Sequence, residues 1–254
     1  MSKSSEYNRL YSSVNYSAPL KVNKSRRNGQ EFLFPTLCAL CGGYGQRGRE
    51  LCRGCEADLP LIAVACSQCG APLPVAGRCG RCQRHPPAYA RTVAIYHYRP
   101  PLDALVKRLK FNGDLHLARL LGELMAERLV AMNFTVPDVI VPVPLHVRRL
   151  RQRGFNQALE LARPVAERLA IPLDRHHVIR SRATDPQSDL PAKLRSGNVK
   201  GAFAVAADFT AQRVAIVDDV MTTGHTVNEL ARTLRRTGAT DICVWTCARA
   251  VFGD

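Results

Sequence analysis

Two adjacent acids and a threonine-rich turn form the most distinctive chemical group in this sequence. Asp218 and Asp219 directly follow the apolar run 214–217. The turn after them contains Thr222, Thr223, Gly224, His225 and Thr226. From Val227 onward, apolar residues recur at helical spacing, so the stretch predicts a buried parallel strand, a polar turn and a helix. Hydroxyls and backbone N–H groups at the start of a helix favour binding of a phosphate.

The acids limit which phosphate ligand could bind here. Carboxylates repel a bare phosphate, so their presence makes sense when the ligand also carries hydroxyl groups or a bridging Mg²⁺. Ribose 5-phosphate meets this condition, because Asp218 and Asp219 could accept hydrogen bonds from its hydroxyls while the turn holds the phosphate. The alternative is an ordinary strand–helix turn in which Thr222 only caps the helix.

The Asp-Asp-x-x-Thr-Thr-Gly-x-Thr pattern resembles the phosphoribosyl pyrophosphate (PRPP) motif of type I phosphoribosyltransferases. The resemblance implies that Asp218 and Asp219 act at the reacting ribose and that residues 222–226 bind its 5-phosphate. It also implies that Mg²⁺ accompanies the pyrophosphate group.

Eight of the ten cysteines form four Cys-x-x-Cys pairs, a spacing that lets both thiols of a pair bind one metal ion. The pairs are Cys38 and Cys41, Cys52 and Cys55, Cys66 and Cys69, and Cys79 and Cys82. Eight thiolates predict two structural Zn²⁺ ions without an open coordination position, and the segment resembles a double zinc ribbon. Sequential use of the pairs is expected; interleaved ligands or a single metal are alternatives. Cys243 and Cys247 are predicted to be buried free thiols.

The 254-residue chain predicts one ordinary domain preceded by a small one. We expect a disordered basic tail over 1–31, the zinc ribbon over 32–86 and the main domain over 87–254, with a boundary near the Pro86–Pro87 pair. No apolar run is long enough to span a membrane and no signal peptide is recognisable, so a cytoplasmic location is expected.

The formal net charge of +15 and the pI of about 9.8 indicate a polyanionic partner, with nucleic acid as the first candidate. Eight thiolates and two Zn²⁺ ions together lower the charge by four, to roughly +11, which is still strongly basic. The alternative is a basic protein without such a partner.

Further basic residues follow the apolar segment 139–144, at the expected carboxyl end of a strand where open α/β sheets bind ligands. They are Arg148, Arg149, Arg151 and Arg153. Guanidinium groups suit a pyrophosphate or a nucleic-acid backbone, and a solvated charge run is the alternative. By the same reasoning, Pro144 and Leu145 are expected to face the pyrophosphate.

Two other segments carry weaker candidates. Lys107 and Lys110 lie on a predicted helix beginning at Leu102, where they could contact a phosphate or belong to a solvated face. A strand is predicted over 177–180, and the polar segment after it is predicted to cover the site with Arg182, Gln187 and Arg195.

Three segments in combination make the chain similar to the ComF/GntX family over residues 32–250. They are Val-Pro-Val-Pro-Leu with Arg-Gln-Arg-Gly-Phe-Asn-Gln, the series from Arg182 to Gly201-Ala-Phe, and Asp-Asp-Val-Met-Thr-Thr-Gly. The resemblance implies an α/β fold, in which a type I phosphoribosyltransferase-like parallel sheet flanked by helices follows a small N-terminal zinc ribbon. It also implies a role in natural competence or use of incoming DNA, with single-stranded DNA and a helicase-like competence protein as partners.

Three functions remain open at this point. The chain could be a phosphoribosyltransferase with an unidentified acceptor, because no separate hood that would choose a base is recognisable. It could instead be a non-catalytic single-stranded DNA-binding competence factor with a PRPP pocket. The third alternative is a structural zinc adaptor.

Overall fold

Strands and helices alternate along the main part of the chain in the computed structural model, which describes residues 35–132, 134–183 and 199–250. The predicted tail and the candidates Gln187 and Arg195 lie outside these ranges. The elements are α1 (Arg53–Ala57), α2 (Gly80–Arg84), β1 (Arg91–His97), α3 (Leu102–Asn112), α4 (Leu115–Val130), β2 (Val139–Pro142), α5 (Val147–Arg153), α6 (Gln157–Leu169), β3 (Val178–Arg180), β4 (Phe203–Val205), β5 (Arg213–Met221), α7 (His225–Arg236) and β6 (Asp241–Arg249).

The main sheet has the strand order β1-β6-β5-β2, and all of its strand pairs are parallel. Strand β5 shows why both faces need a helical layer. Val214 and Ile216 share a core cluster with apolar residues of α7, whereas Ala215 and Val217 share one with α3, α4 and α6. Side chains alternate along a strand, so these two sets lie on opposite faces. The predicted parallel sheet flanked by helices is confirmed.

The acid pair lies within β5, which continues to Met221, rather than after the strand as the sequence suggested. Pairing with β6 explains this extension, since Asp218 is in register with Thr246 and Met221 with Arg249.

Helix α5 was not predicted. Its seven residues contain four arginines and only Val147 and Leu150 as apolar anchors, too few to give a helical period. The helix is held at its ends: Nδ1 of His146 accepts a hydrogen bond from the backbone N–H of Arg148 at 3.2 Å, and Gly154 ends the helix in the left-handed conformation.

The predicted strand over 177–180 exists as β3, but it does not join the main sheet. It pairs antiparallel with β4 in a separate two-stranded sheet, with Arg180 opposite Phe203.

The cysteine-rich segment covers the exposed edge of β1. The N–H of Ile62 donates to the carbonyl of Ile95 at 3.0 Å, and the N–H of His97 donates to the carbonyl of Pro60 at 2.8 Å. Covering an edge strand in this way satisfies its unpaired backbone groups.

On either side of this contact lie two units, which we call the first cysteine module (residues 35–58) and the second cysteine module (residues 64–84). The first packs on the α3–α4 face, where Arg108 donates to the carbonyl of Ala39 at 2.6 Å. The second packs on the α7 face and on β1, where Oγ1 of Thr92 donates to the carbonyl of Gln68 at 2.7 Å. Within the described ranges, no helix is long and apolar enough to cross a membrane.

Candidate functional site

The two acids lie at the carboxyl end of β5, and a lysine from α3 reaches them. Nζ of Lys110 is 2.8 Å from Oδ2 of Asp219, and the two side chains are 20% and 13% exposed. The backbone N–H of Asp219 donates to Oδ1 of Asp218 at 3.0 Å, and the N–H of Val220 donates to Oδ1 of Asp219 at 2.7 Å. Lys110 is therefore part of the site rather than of a solvated helical face.

The acids have opposite electrostatic environments. Burial, together with the neighbouring Asp219 charge, raises the pKa of Asp218 to about 8. Burial also opposes ionisation of Asp219, but the charge and hydrogen bond of Lys110 outweigh it, so the pKa of Asp219 is lowered. The pair thus holds one proton near neutral pH, and Lys110 forms its ion pair with Asp219. Hydroxyl donors or a divalent cation could interact with the Asp218 carboxyl, so this donor set fits Mg²⁺.

The turn after β5 depends on a glycine. Gly224 has φ +80°, and a Cβ atom at this position would lie 2.6 Å from Cε of Met221. It leads directly into α7, whose first backbone N–H groups have no partner inside the helix. Oγ1 of Thr223 is buried and has no hydrogen-bond partner among the described residues. An unsatisfied hydroxyl beside a helix N-terminus suits a ligand rich in acceptor oxygens. Thr222, His225 and Thr226 are half-buried around it.

The arginines after β2 divide into two sets along α5. Arg148 and Arg151 are exposed, whereas Arg149 and Arg153 are half-buried. The guanidinium of Arg153 lies 6.0 Å from the ring centroid of Phe111, and its charge helps to lower the pKa of Asp219. The structure therefore brings Arg153 to the acid pair, whereas Arg148 and Arg151 lie on the exposed face of α5.

Several candidates lie elsewhere or are covered. Pro144 and Leu145 are buried, so a ligand could meet only their backbone. Lys107 is 57% exposed and forms an ion pair with Asp103 at 2.7 Å, which matches the solvated-face alternative. Arg182 is exposed, and its Nη2 donates to the carbonyl of Lys200 at 2.5 Å.

The cysteines form two clusters in sequential order, so the expected pairing is confirmed and interleaving is excluded. In each cluster all four Sγ atoms lie within 4.8 Å of one another; the sets are Cys38, Cys41, Cys52 and Cys55, and Cys66, Cys69, Cys79 and Cys82. The Sγ atoms of Cys41 and Cys52 are 3.9 Å apart, and those of Cys69 and Cys79 are 3.7 Å apart. Tetrahedral Zn–S bonds of about 2.3 Å place two sulfurs about 3.8 Å apart, so both donor sets fit Zn²⁺.

The thiol pKa values support this fit. Burial opposes ionisation of Cys66, but the backbone N–H groups of Cys79 and Cys69 outweigh it and lower the pKa of Cys66 to about 6. Burial and the nearby Cys69 charge instead raise the pKa of Cys82. Four thiols cannot all ionise at this distance without a cation between them. Cys243 and Cys247 are buried away from both clusters, as predicted.

Two arginines that contact the turn were missed from the sequence. Arg249 at the end of β6 donates to the carbonyls of Met221 and Thr222, and Arg81 of α2 donates to the carbonyl of Thr223 at 3.1 Å. Beside the turn, a cleft of about 350 Å³ separates the second cysteine module from α7. No local pattern marks these arginines, because their role depends on how the modules pack.

This combination of fold and site defines a phosphoribosyltransferase-type domain joined to a double zinc ribbon. The chain matches the double zinc ribbon domain family over residues 30–83 and the phosphoribosyl transferase domain family over residues 156–250.

Curated relatives extend over most of the chain. It is 39% identical to DNA utilization protein YhgH of Escherichia coli over 229 residues, covering 85% of this chain and 98% of that protein. It is also 39% identical to competence protein F of Haemophilus influenzae over 226 residues, with the same coverage. Competence protein ComFC of Bacillus subtilis is 28% identical over 203 residues, covering 74% of this chain and 79% of that protein. The chain belongs to the ComF/GntX family.

Proposed function

We propose that this protein binds PRPP at the carboxyl edge of its main sheet and acts as a type I phosphoribosyltransferase with an unidentified acceptor. One observation carries the proposal: Asp218 and Asp219 lie near the carboxyl end of β5, two residues before the strand ends at Met221 and the turn that opens α7 begins. Carboxylates that can accept hydrogen bonds from hydroxyls are therefore next to N–H and O–H groups that can donate to a phosphate, and a ribose 5-phosphate requires both. The matched phosphoribosyl transferase domain family supports this reading.

The proposed roles follow from the local chemistry. Residues 222–226 hold the 5-phosphate through backbone N–H groups and hydroxyls. Asp218 and Asp219 accept hydrogen bonds from the ribose hydroxyls, and Lys110 keeps Asp219 ionised for this task. The half-buried Arg149 and Arg153 of α5 face the negatively charged leaving group.

In the proposed reaction, the bond between ribose C1 and a pyrophosphate oxygen breaks, and the electron pair leaves with pyrophosphate. A nucleophile on the acceptor then bonds to C1. Because the ribose becomes positively charged between these events, the nearby carboxylates stabilise it by charge as well as by position. When bound, Mg²⁺ supplies countercharge to the pyrophosphate, and Asp218 is the side chain whose donor chemistry fits it.

Titrating the zinc-loaded protein with PRPP and Mg²⁺ while following thermal unfolding tests the binding step. We expect the unfolding temperature to rise with PRPP concentration, because the ligand binds only the folded state. Asp218→Asn combined with Asp219→Asn should abolish the rise, and Lys107→Met should leave it unchanged because Lys107 points into solvent. No rise in the unmodified protein would refute PRPP binding.

Turnover needs a separate assay. The protein is mixed with Mg²⁺-PRPP and a panel of nucleobases, nucleosides and DNA ends, and released pyrophosphate is measured. Release that depends on one acceptor class and disappears in the double asparagine variant supports the enzyme. PRPP binding without release across the panel favours a non-catalytic PRPP-binding protein.

A second candidate function is binding of single-stranded DNA in natural competence or DNA utilisation, the roles in the names of the relatives. The net charge of +15 and the exposed Arg148 and Arg151 on α5 favour it. A helicase-like competence protein would then be a natural protein partner. DNA binding that weakens steeply with salt but persists in the double asparagine variant would support this function separately from PRPP binding.

A further inference from the structure

On the basis of the proposed function, we propose that the second cysteine module positions the phosphate-binding turn through Arg249 and Arg81. Zinc in the second cluster is then required for binding a ribose 5-phosphate group, whereas zinc in the first cluster stabilises the fold without shaping the turn.

Arg249 connects the second cysteine module to the turn at residues 222–226. It is 5% exposed, and its guanidinium donates hydrogen bonds to backbone carbonyls of three segments. Nε donates to the carbonyl of Cys69, a ligand of the second cluster, at 3.0 Å. Nη1 donates to the carbonyls of Met221 at 3.0 Å, of Ala250 at 2.7 Å and of Thr222. One side chain therefore ties a metal ligand to the two residues that begin the turn.

These carbonyl contacts also orient the opposite side of the turn. In a trans peptide, the C=O of one residue and the N–H of the next point in opposite directions. Holding the Thr222 carbonyl toward Arg249 therefore directs the N–H of Thr223 away from Arg249. The contact from Arg81 to the carbonyl of Thr223 likewise fixes the direction of the Gly224 N–H. The two arginines thus set the N–H groups that a phosphate would meet.

Arg81 belongs to the second cysteine module. It lies in α2 between Cys79 and Cys82, both of which are cluster ligands. The module also packs tightly on the sheet, because a Cβ atom at Gly70 would lie 2.8 Å from Cγ2 of Thr92. Loss of the metal would release α2 and the Cys69 knuckle together, since five-residue helices and cysteine loops of this size depend on zinc for their structure.

The first cysteine module serves as the natural control because it packs on the other face of the sheet. Cys38 and Leu51 belong to the core cluster that contains α3 and α4. The buried cysteines of the second module share a cluster with Met221 of β5 and Val227 of α7. Loss of each metal should therefore affect a different layer of the molecule.

The test compares Cys79→Ser with Cys41→Ser, a matched pair that removes one ligand from each cluster. Metal analysis confirms which zinc is lost. Ribose 5-phosphate affinity is measured by titration, and hydrogen exchange is measured on the peptide containing residues 221–226. We expect Cys79→Ser to weaken binding at least about tenfold, within the usual range of coupling between sites, and to speed exchange in the turn. Cys41→Ser should change neither property appreciably.

Arg249→Lys and Arg81→Met test the linkage with both metals in place. Each should keep full zinc content but weaken ribose 5-phosphate binding and speed exchange in the turn. Equal effects of the two cysteine variants, or normal binding and exchange in Arg249→Lys, would overturn the inference. If the unmodified protein fails to bind ribose 5-phosphate and PRPP, the proposed function is refuted instead. The exchange comparison still decides whether the second module holds the turn.

Discussion

Replacing Lys110 by methionine removes the cation that lies 2.8 Å from Asp219 while keeping the apolar length of the side chain. Asp219 remains recessed at the end of β5, next to Asp218, whose pKa is already raised to about 8 by burial and by the Asp219 charge. The variant therefore leaves two neighbouring carboxyl groups without their nearest cation. We expect it to lower the free energy of unfolding at pH 7.

The size of this loss can be bounded. Coulomb attraction at this separation is about 6 kcal/mol with an effective dielectric constant near 20, which ignores the cost of desolvating Lys110. Asp219 can instead take up a proton, which costs about 4 kcal/mol at pH 7 for a carboxyl of ordinary pKa. The loss of stability therefore cannot exceed the cost of protonating Asp219, because that is the cheaper of the two outcomes. Because both groups retain some exposure, we expect a loss of about 2–4 kcal/mol.

The loss should depend on pH in a defined direction. The pKa of Asp219 is lowered in the folded protein, so its contribution to stability is present above its unfolded pKa and disappears as pH falls. At pH 5, protonating the carboxyl costs only about 1.5 kcal/mol, so the difference between Lys110→Met and the unmodified protein should shrink to that value or less.

Thermal unfolding at pH 5 and pH 7 with constant zinc measures both effects, and about 2–4 °C per kcal/mol is expected for a chain of this size. Lys107→Met is the control, because it makes the same change on the same helix at an ion pair that is 57% exposed on the lysine side. Such an exposed pair contributes little to stability, because water screens its charges and both side chains lose conformational freedom. Equal shifts in the two variants, or a Lys110→Met shift that does not fall between pH 7 and pH 5, would refute the reasoning.

Three further predictions concern ligands. Affinity for Mg²⁺-PRPP should rise between pH 6 and pH 8, and binding should release a proton, because Asp218 is protonated below its raised pKa of about 8 and the ligand favours the ionised carboxylate. Calorimetry in two buffers of different ionisation enthalpy measures the proton release, and Asp218→Asn should abolish the release. Gly224→Ala should destabilise the fold by at least about 1 kcal/mol and abolish the PRPP-dependent thermal shift, because of its positive φ and the close approach of Met221. Replacing Arg148 and Arg151 together by alanine should make the salt dependence of single-stranded DNA binding shallower by about 1.4 in the log–log slope, if each contacts one phosphate.

The sequence was most informative where function depends on neighbouring residues. The cysteine spacing predicted the two clusters because each knuckle is a local structure whose two thiols are close whatever the rest of the chain does. The strand, the turn and the helix were likewise predictable from residues 214–227, since a continuous apolar run and the glycine at 224 are local features; only the extension of the strand past the acids was not.

Features that depend on distant contacts were harder to predict. Lys110 could not be distinguished from Lys107 by helical spacing, because only the packing of α3 against β5 shows which lysine meets an acid. No local pattern marks Arg249, although it contacts carbonyls from three separate segments. Helix α5 was missed because its ends, rather than an apolar stripe, stabilise it.

These contacts explain how acids can lie beside the proposed phosphate site without repelling its ligand. Asp218 holds a proton near neutral pH and Asp219 is paired with Lys110, so the acid pair presents little net negative charge to an approaching phosphate. On the other side of the turn, the buried guanidinium of Arg249 adds positive charge directly beneath the backbone that would hold the phosphate. A ligand that brings hydroxyls or Mg²⁺ can then displace the proton from Asp218 and gain a charged acceptor only after it has bound. This order of events predicts that inorganic phosphate alone binds without proton release, whereas Mg²⁺-PRPP binds with it, and calorimetry of the two ligands in the same pair of buffers distinguishes them.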